Sequence, residues 1–178
     1  MIVKDEAILR KKCEDVLPEE VDNLRAELEK ELMLSAARGE PGIGLAAPQI
    51  GIHKRMAIVR VKDQNGRLYS VDLVNSKISQ SYDKAIFNEE GCLSFPGRTV
   101  QTYRYREIYV TGNLIAPHSF IATGLFAVCI QHELDHLNGI LLPDVAIAPI
   151  NKPLQSKIGK LELDKLTSVS NFMMPKRR

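Results

Sequence analysis

The sequence predicts an α+β fold in which antiparallel β-sheets pack around a central helix. Three observations carry this expectation. Apolar residues recur at helical spacing near the start of the chain and again around residue 130. Between these stretches lie runs rich in β-branched and aromatic residues, punctuated by turn residues. Two of the runs are joined around Asn65-Gly66, a strong hairpin signal. The order helix, several strands, helix, without an internal repeat, is that of an α+β domain.

The first helix is expected over "PEEVDNLRAELEKELMLSAARG", where Val21, Leu24, Leu28 and Leu32 share one face. Pro18 stands near its start and Gly39 at its C-terminal cap. Next comes "GIGLAAPQIG", whose first six residues fit the G-x-G-x-x-A pattern of a dinucleotide loop. That reading requires a strand before the glycines and a helix after them. Here a helix precedes them, while Pro48, Gly51 and the strand "MAIVRV" follow, so these glycines serve another purpose. "MAIVRV" and "RLYSVDLVN" form the hairpin, and "KAIFNEEGCLS" and "RTVQTYRYREIYVTGNL" add further β structure. From Gly124 the period changes. "GLFAVCIQHELDHLNG" spaces Leu125, Val128, His132, Leu134 and Leu137 as a buried helix does, ending at Gly139. In the tail from Val145, "KIGKLELDKL" suits a short amphipathic helix and "PKRR" a solvated end.

A chain of 178 residues is long enough to bury a core and short enough to be one domain, taken here as residues 1–178. A net charge of +2 gives no global attraction to nucleic acid. The charged start "MIVKDEAILRKK" is unlike a signal peptide, and no stretch reaches the length of a membrane span. Cys13, Cys92 and Cys129 are odd in number and widely spaced, which argues against a disulfide framework and for a reducing, cytoplasmic setting.

The sharpest chemical signal is "HELDH", residues 132–136. A spacing of four puts His132 and His136 on one helix face, one turn apart, where both imidazoles can bind one metal ion. Glu133, beside the first ligand, can reach a metal-activated water without itself binding the ion, as a general base must. A catalytic site needs a third protein ligand and one open position. Leu142 stands where metzincins have their third His. Glu162, the only glutamate after Glu133, lies in a Lys-rich stretch without other support. Among the cysteines, Cys129 sits with Phe126, Val128 and Ile130, where packing is the simpler role, and Cys13 lies in the polar "RKKCED". Cys92 stands between Gly91 and Pro96-Gly97, where a strand runs into a turn that can aim a thiol at a neighbouring helix. Asp135 faces away from the ligands; it is either a partner for Arg98 or Arg104 or a solvated helix charge.

The trio "GIGLAAPQ", "EGCLS" and "QHELDHLNG", in this order, resembles the three motifs of peptide deformylases, and the likeness extends loosely over residues 8–144. Those enzymes remove the formyl group from the N-terminal formyl-methionine of new proteins. The resemblance implies that Cys92, His132 and His136 bind the metal and that Glu133 is the acid/base. It also implies that Gln49 and the Leu93 backbone N–H stabilise the oxyanion. It further implies one divalent ion per chain, with Fe2+ native and Zn2+, Ni2+ or Co2+ also suited. N-formyl-methionyl peptides and nascent chains would be the partners, with the ribosome as a further candidate through the basic tail. Pro41 stands where many relatives carry an acidic residue, and the tail after Asp144 matches no family pattern.

In that light, Gly42 and Gly44 let the backbone pass close to the cleft and leave main-chain groups free to hold an extended peptide. Ile43, Leu125, Val128 and Cys129 are candidates to line a methionine pocket, and equally candidates for plain core. Two other classes require different ligand sets: an endopeptidase needs a third ligand other than Cys92, and a closed structural site needs a fourth.

Overall fold

The computed structural model describes residues 1–63, 65–112 and 118–149. Glu162, "KIGKLELDKL" and "PKRR" lie outside them. Two antiparallel sheets meet at one central helix, α3 (Gly124–Leu137). The first sheet has the order β1 (Gly44–Ala46), β2 (Met56–Lys62), β3 (Leu68–Val74). The second is β4 (Lys77–Gly91), β5 (Thr99–Gly112) and β6 (His118–Thr123), with β7 (Ala146–Pro149) also paired to β5. Helices α1 (Glu6–Leu9), α2 (Val21–Ala37) and α4 (Leu142–Val145) pack around this frame.

Strand β2 explains why its sequence reads as a continuous apolar run. Met56 and Ile58 face the cluster built with Val21, Leu24 and Leu28 of α2. Ala57, Val59 and Val61 face the cluster built with Phe126, Ile130 and Leu134 of α3. With both faces covered, alternation of apolar and polar residues disappears. The hairpin after β2 forms at the expected place, with Gly66 at φ +77°. Asp63, which sequence reading passed over, closes it: its Oδ1 accepts the Asn65 and Arg67 N–H groups, both at 2.9 Å.

The first helix is regular only from Val21, because Pro18–Glu20 form a 3-10 turn. Gly39 follows its end at φ +82°. The glycine segment does contain a strand, β1, too short to show a sequence period, and a 3-10 turn over Ala47–Ile50 follows it. Strand β4 stops at Gly91, short of the Ser94 expected, and Cys92 sits in the turn whose Phe95 N–H donates to its carbonyl at 2.9 Å. At the far end of α3, Arg55 donates to the Leu137 carbonyl at 3.2 Å and to Asn138 Oδ1 at 3.0 Å, a cation on the negative end of the helix. Arg10 grips Asp144 through two bonds of 2.7 and 2.9 Å, tying α1 to α4.

Candidate metal centre

Helix α3 emerges directly from β6, with Gly124 at φ +59° making the corner. Its buried length carries His132 and His136, whose rings stand 5.0 Å apart at 75°. The turn after β4 brings Cys92 to them, its Sγ 3.2 Å from His136 Nε2. One ligand atom from each of the three lies within 4.8 Å of the others. Atoms bonded to one tetrahedral ion are about 3.4–3.7 Å apart, so little adjustment is needed to hold one.

The protonation pattern also fits. His132 Nδ1 is 2.7 Å from Glu90 Oε1, and a carboxylate can only accept, so Nδ1 carries a proton and Nε2 is the nitrogen left for the ion. Burial lowers the His132 pKa, but the Cys92 and Glu90 hydrogen bonds outweigh it and hold the imidazole well above its usual value, so an incoming ion would take the place of the Nε2 proton. Glu90 is itself buried, which by itself raises its pKa. Arg104 and His132 outweigh that and hold it down at about 2. Burial, followed by the neighbouring His132, keeps His136 neutral, with a pKa well below the usual imidazole value. Its buried Nδ1 has no hydrogen-bond partner among the described residues. One thiol and two imidazoles, with a coordination position left over, make a donor set for a catalytic divalent ion.

Glu133 is 4% exposed, and its Oε2 has no hydrogen-bond partner among the described residues. Burial pushes its carboxyl up to about 7; His132 opposes this, while Glu90 and Asp135 add to it. A bound cation would pull the value back down. The Gly44 backbone lies against this side chain: a Cβ there would overlap Glu133 Oε1 and stand 2.9 Å from its Cδ. Gln49, 2% exposed, accepts the Ala46 N–H at 2.9 Å through Oε1. That bond turns its Nε2 toward Cys92 Sγ at 3.6 Å and Ser94 Oγ at 3.2 Å. Leu93 follows the thiol, and its side chain covers Gly42.

These groups line a cleft of about 640 Å³. Gly42, Ile43, Gly44, Leu125, Val128 and Cys129 all border it. Leu125 and Cys129 also pack on the core of α3, so cleft wall and core are the same residues there. Burial, then Glu133, drives the Cys129 thiol pKa far up, and Cys129 is not in the ligand cluster. Cys13 is buried elsewhere, with Sγ 3.9 Å from the Lys11 carbonyl, despite its polar neighbours. Asp135 pairs with Arg104 at 2.7 Å, while Arg98 is exposed at the cleft rim. Sequence reading missed Glu90, the partner of His132, although it lies inside the quoted "EGCLS". It also missed Phe87 and Phe95, which enter the cleft wall from β4 and the turn.

A sequence profile of the family described as Polypeptide deformylase matches residues 1–152. The chain is similar to "Peptide deformylase 2" of Gloeobacter violaceus, 39% identical over 124 residues, or 66% of each chain. It is also similar to the "Peptide deformylase" of Thermodesulfovibrio yellowstonii, 36% identical over 154 residues, 84% of this chain and 89% of the relative. The match thus spans just under two thirds of the first relative and most of the second. Among solved structures, the class I type b peptide deformylase of Acinetobacter baumannii, with Met-Ala-Ser bound, superposes with a TM-score of 0.70 at 28% identity. That overlap covers 82% of this chain and 96% of the other.

Proposed function

This chain belongs to the polypeptide deformylase family, metal-dependent hydrolases that remove the N-formyl group from nascent peptides, and we propose how its own residues perform that reaction. The observation that carries the proposal is the cluster of Cys92, His132 and His136 beside a buried, half-unpartnered Glu133 carboxyl. These three side chains hold one divalent ion, which when bound supplies Lewis-acid polarisation and an acidified water.

Glu133, with a pKa near neutrality in this burial, accepts a proton from the attacking water. The same carboxyl returns it to the amine nitrogen as the C–N bond breaks. Gln49 Nε2, oriented by its Oε1 bond to Ala46, donates to the formyl oxygen as negative charge develops there, and the Leu93 N–H does the same. The main chain at Gly42–Gly44 holds the extended peptide. Ile43, Leu125, Val128 and Cys129, with Phe87, receive the methionine side chain. The Acinetobacter relative binds Met-Ala-Ser, a peptide beginning with methionine, which supports that orientation.

Iron(II) is the working metal in this reading, in keeping with the family; zinc, nickel and cobalt suit the same ligands. Residues 1–178 act as one catalytic domain in the cytoplasm, and the basic "PKRR" end is a contact for the ribosome. Among the described residues no helix is long and apolar enough to cross a membrane.

The test combines metal analysis of anaerobically purified protein with three substrates: formyl-Met-Ala, acetyl-Met-Ala and casein. The acetyl methyl must displace close-packed neighbours at about 1–3 kcal/mol, roughly 5- to 160-fold in rate, before its weaker electrophilicity is counted. Rapid formate release, much slower acetate release and intact casein are expected, with about one iron per chain. Equal formyl and acetyl turnover, or digested casein, overturns the reading.

A further inference from the structure

We infer that Gln131, the residue before the first histidine ligand, is a positioning residue that sets the metal site by closing a ring of contacts between α3 and β5. The inference rests on the metal site proposed above. Along one edge of β5, β6 pairs with Glu107–Gly112 and β7 with Val100–Thr102. Neither strand reaches Tyr105. There the Gln131 side chain takes the place of a strand: the Tyr105 N–H donates to its Oε1 at 2.9 Å, and its Nε2 donates to the Tyr105 carbonyl at 2.8 Å. The same Nε2 donates to the Ala127 carbonyl within α3 at 3.0 Å, which fixes the amide plane. Gln131 is 5% exposed, so both backbone groups would otherwise go unpaired in a site with little water.

The consequence lies in the neighbours. Tyr105 follows Arg104, whose Nε donates to Glu90 Oε2 at 2.8 Å. Glu90 in turn holds His132 Nδ1 at 2.7 Å, and His132 follows Gln131. The ring therefore runs from Gln131 across to Tyr105, back along the chain to Arg104, through Glu90 to His132 and so to Gln131. A second strut, Arg104 to Asp135 at 2.7 Å, joins the same two elements one helical turn on. Thus α3 divides its polar duties by face: Gln131 and Asp135 fasten it to β5, and His132 and His136 point at the ion. Glu90 and Cys92 belong to the end of β4 and its turn, and β4 is held to β5 by their ladder. The Gln131 clamp thereby fixes the distance between the histidine pair and the thiol.

The test uses Gln131→Met, similar in size but unable to bond Tyr105, and Gln131→Glu, which keeps the acceptor and loses the donor. Val21→Ala, at the end of α2 remote from the cleft, supplies a control for lost stability. Cobalt(II) affinity is measured by chelator competition on folded protein, alongside the visible spectrum of the cobalt form, kcat and KM. Affinity is expected to fall about tenfold or more in Gln131→Met, as for outer contacts of metal ligands, and less in Gln131→Glu. The cobalt spectrum should shift and kcat should fall while KM stays within about twofold. If Gln131→Met fails to fold, the same readouts on Gln131→Glu decide. Unchanged cobalt affinity in a folded Gln131 variant, or an equal loss in Val21→Ala, overturns the inference. A wild-type chain that binds no cobalt overturns instead the metal site on which it rests.

Discussion

Replacing Gly44 by alanine adds one methyl group directly against the proposed acid/base. The new Cβ would overlap Glu133 Oε1, and would stand 2.9 Å from its Cδ and 3.1 Å from its Cγ. Ordinary contacts between such atoms lie at about 3.5–4.0 Å, so one side must give by roughly 0.5–1 Å. Glu133 has little room to retreat, being 4% exposed on a helix whose flanking histidines are fixed by Glu90 and Cys92. Strand β1 is held to β2 over its whole length. A displacement near 1 Å at a reacting group costs on the order of 10²-fold in rate, and overpacking costs about 1–3 kcal/mol of stability. The three atoms nearest the new Cβ all belong to Glu133 and none to a metal ligand, so the ion should stay. The assay is metal content per chain together with kcat for formate release. Gly42→Ala is the internal comparison: its Cβ meets Leu93 Cδ1 at 2.7 Å and Leu32 Cδ1 at 3.1 Å, both ends of flexible side chains. Neither glycine has positive φ, so the contrast isolates space from backbone conformation. Gly42→Ala should stay within about fivefold of wild type. Wild-type kcat in metal-loaded Gly44→Ala would refute the reasoning.

Cys92→Ala should lose the tightly bound metal while Cys129→Ala keeps it, as metal content per chain will report; a full equivalent in Cys92→Ala misassigns the site. Glu133→Gln should retain metal and lose at least about 10²-fold in kcat, and near-normal turnover would remove it from the mechanism. Arg10→Met bears on acid stability. The Arg10 hydrogen bond holds the Asp144 carboxyl below its usual range. A depressed folded pKa contributes stability that is complete above the ordinary Asp value near 4 and is lost as pH falls through the lower native value. The pair is well exposed and screened by solvent, so its contribution is small. The variant should therefore lower Tm slightly at neutral pH and converge with wild type in strong acid. A constant difference down to pH 2 would contradict this.

What could be read from the sequence follows how local its physical signal is. The His132–His136 spacing is a property of one helix, and the Asn65-Gly66 turn of one hairpin, so each is visible in a short window. The contacts that were missed join residues far apart in sequence. Glu90 is 42 positions from His132, and nothing in "NEEGC" shows which of two adjacent glutamates turns inward. The structure separates them at a break in alternation: a register shift between Phe87 and Glu90 turns both of these inward, leaving Glu90 4% exposed and Glu89 on the surface. Arg98 and Arg104 were equal candidates for Asp135 for the same reason, since both follow the turn and only register decides between them. Strands β1 and β7, three and four residues long, give no measurable alternation, and their existence depends on a partner edge.

The glycine segment shows how a misleading local match becomes informative in three dimensions. Its spacing fits a phosphate loop, yet its two glycines yield space to different neighbours: Gly42 to Leu93 beside the thiol, and Gly44 to the Glu133 carboxyl. A side chain at Gly44 would press on Glu133 of α3, whereas one at Gly42 would meet the flexible ends of Leu93 and Leu32. Gln49 makes the third approach from the same segment, its amide reaching the Cys92 sulfur. The stretch from Gly42 to Gln49 thus touches a ligand, its neighbour and the proton carrier at once. Close packing of backbone against chemistry, which an anion site would also require, is therefore what the glycines encode, and the identity of the chemistry comes from the residues they meet.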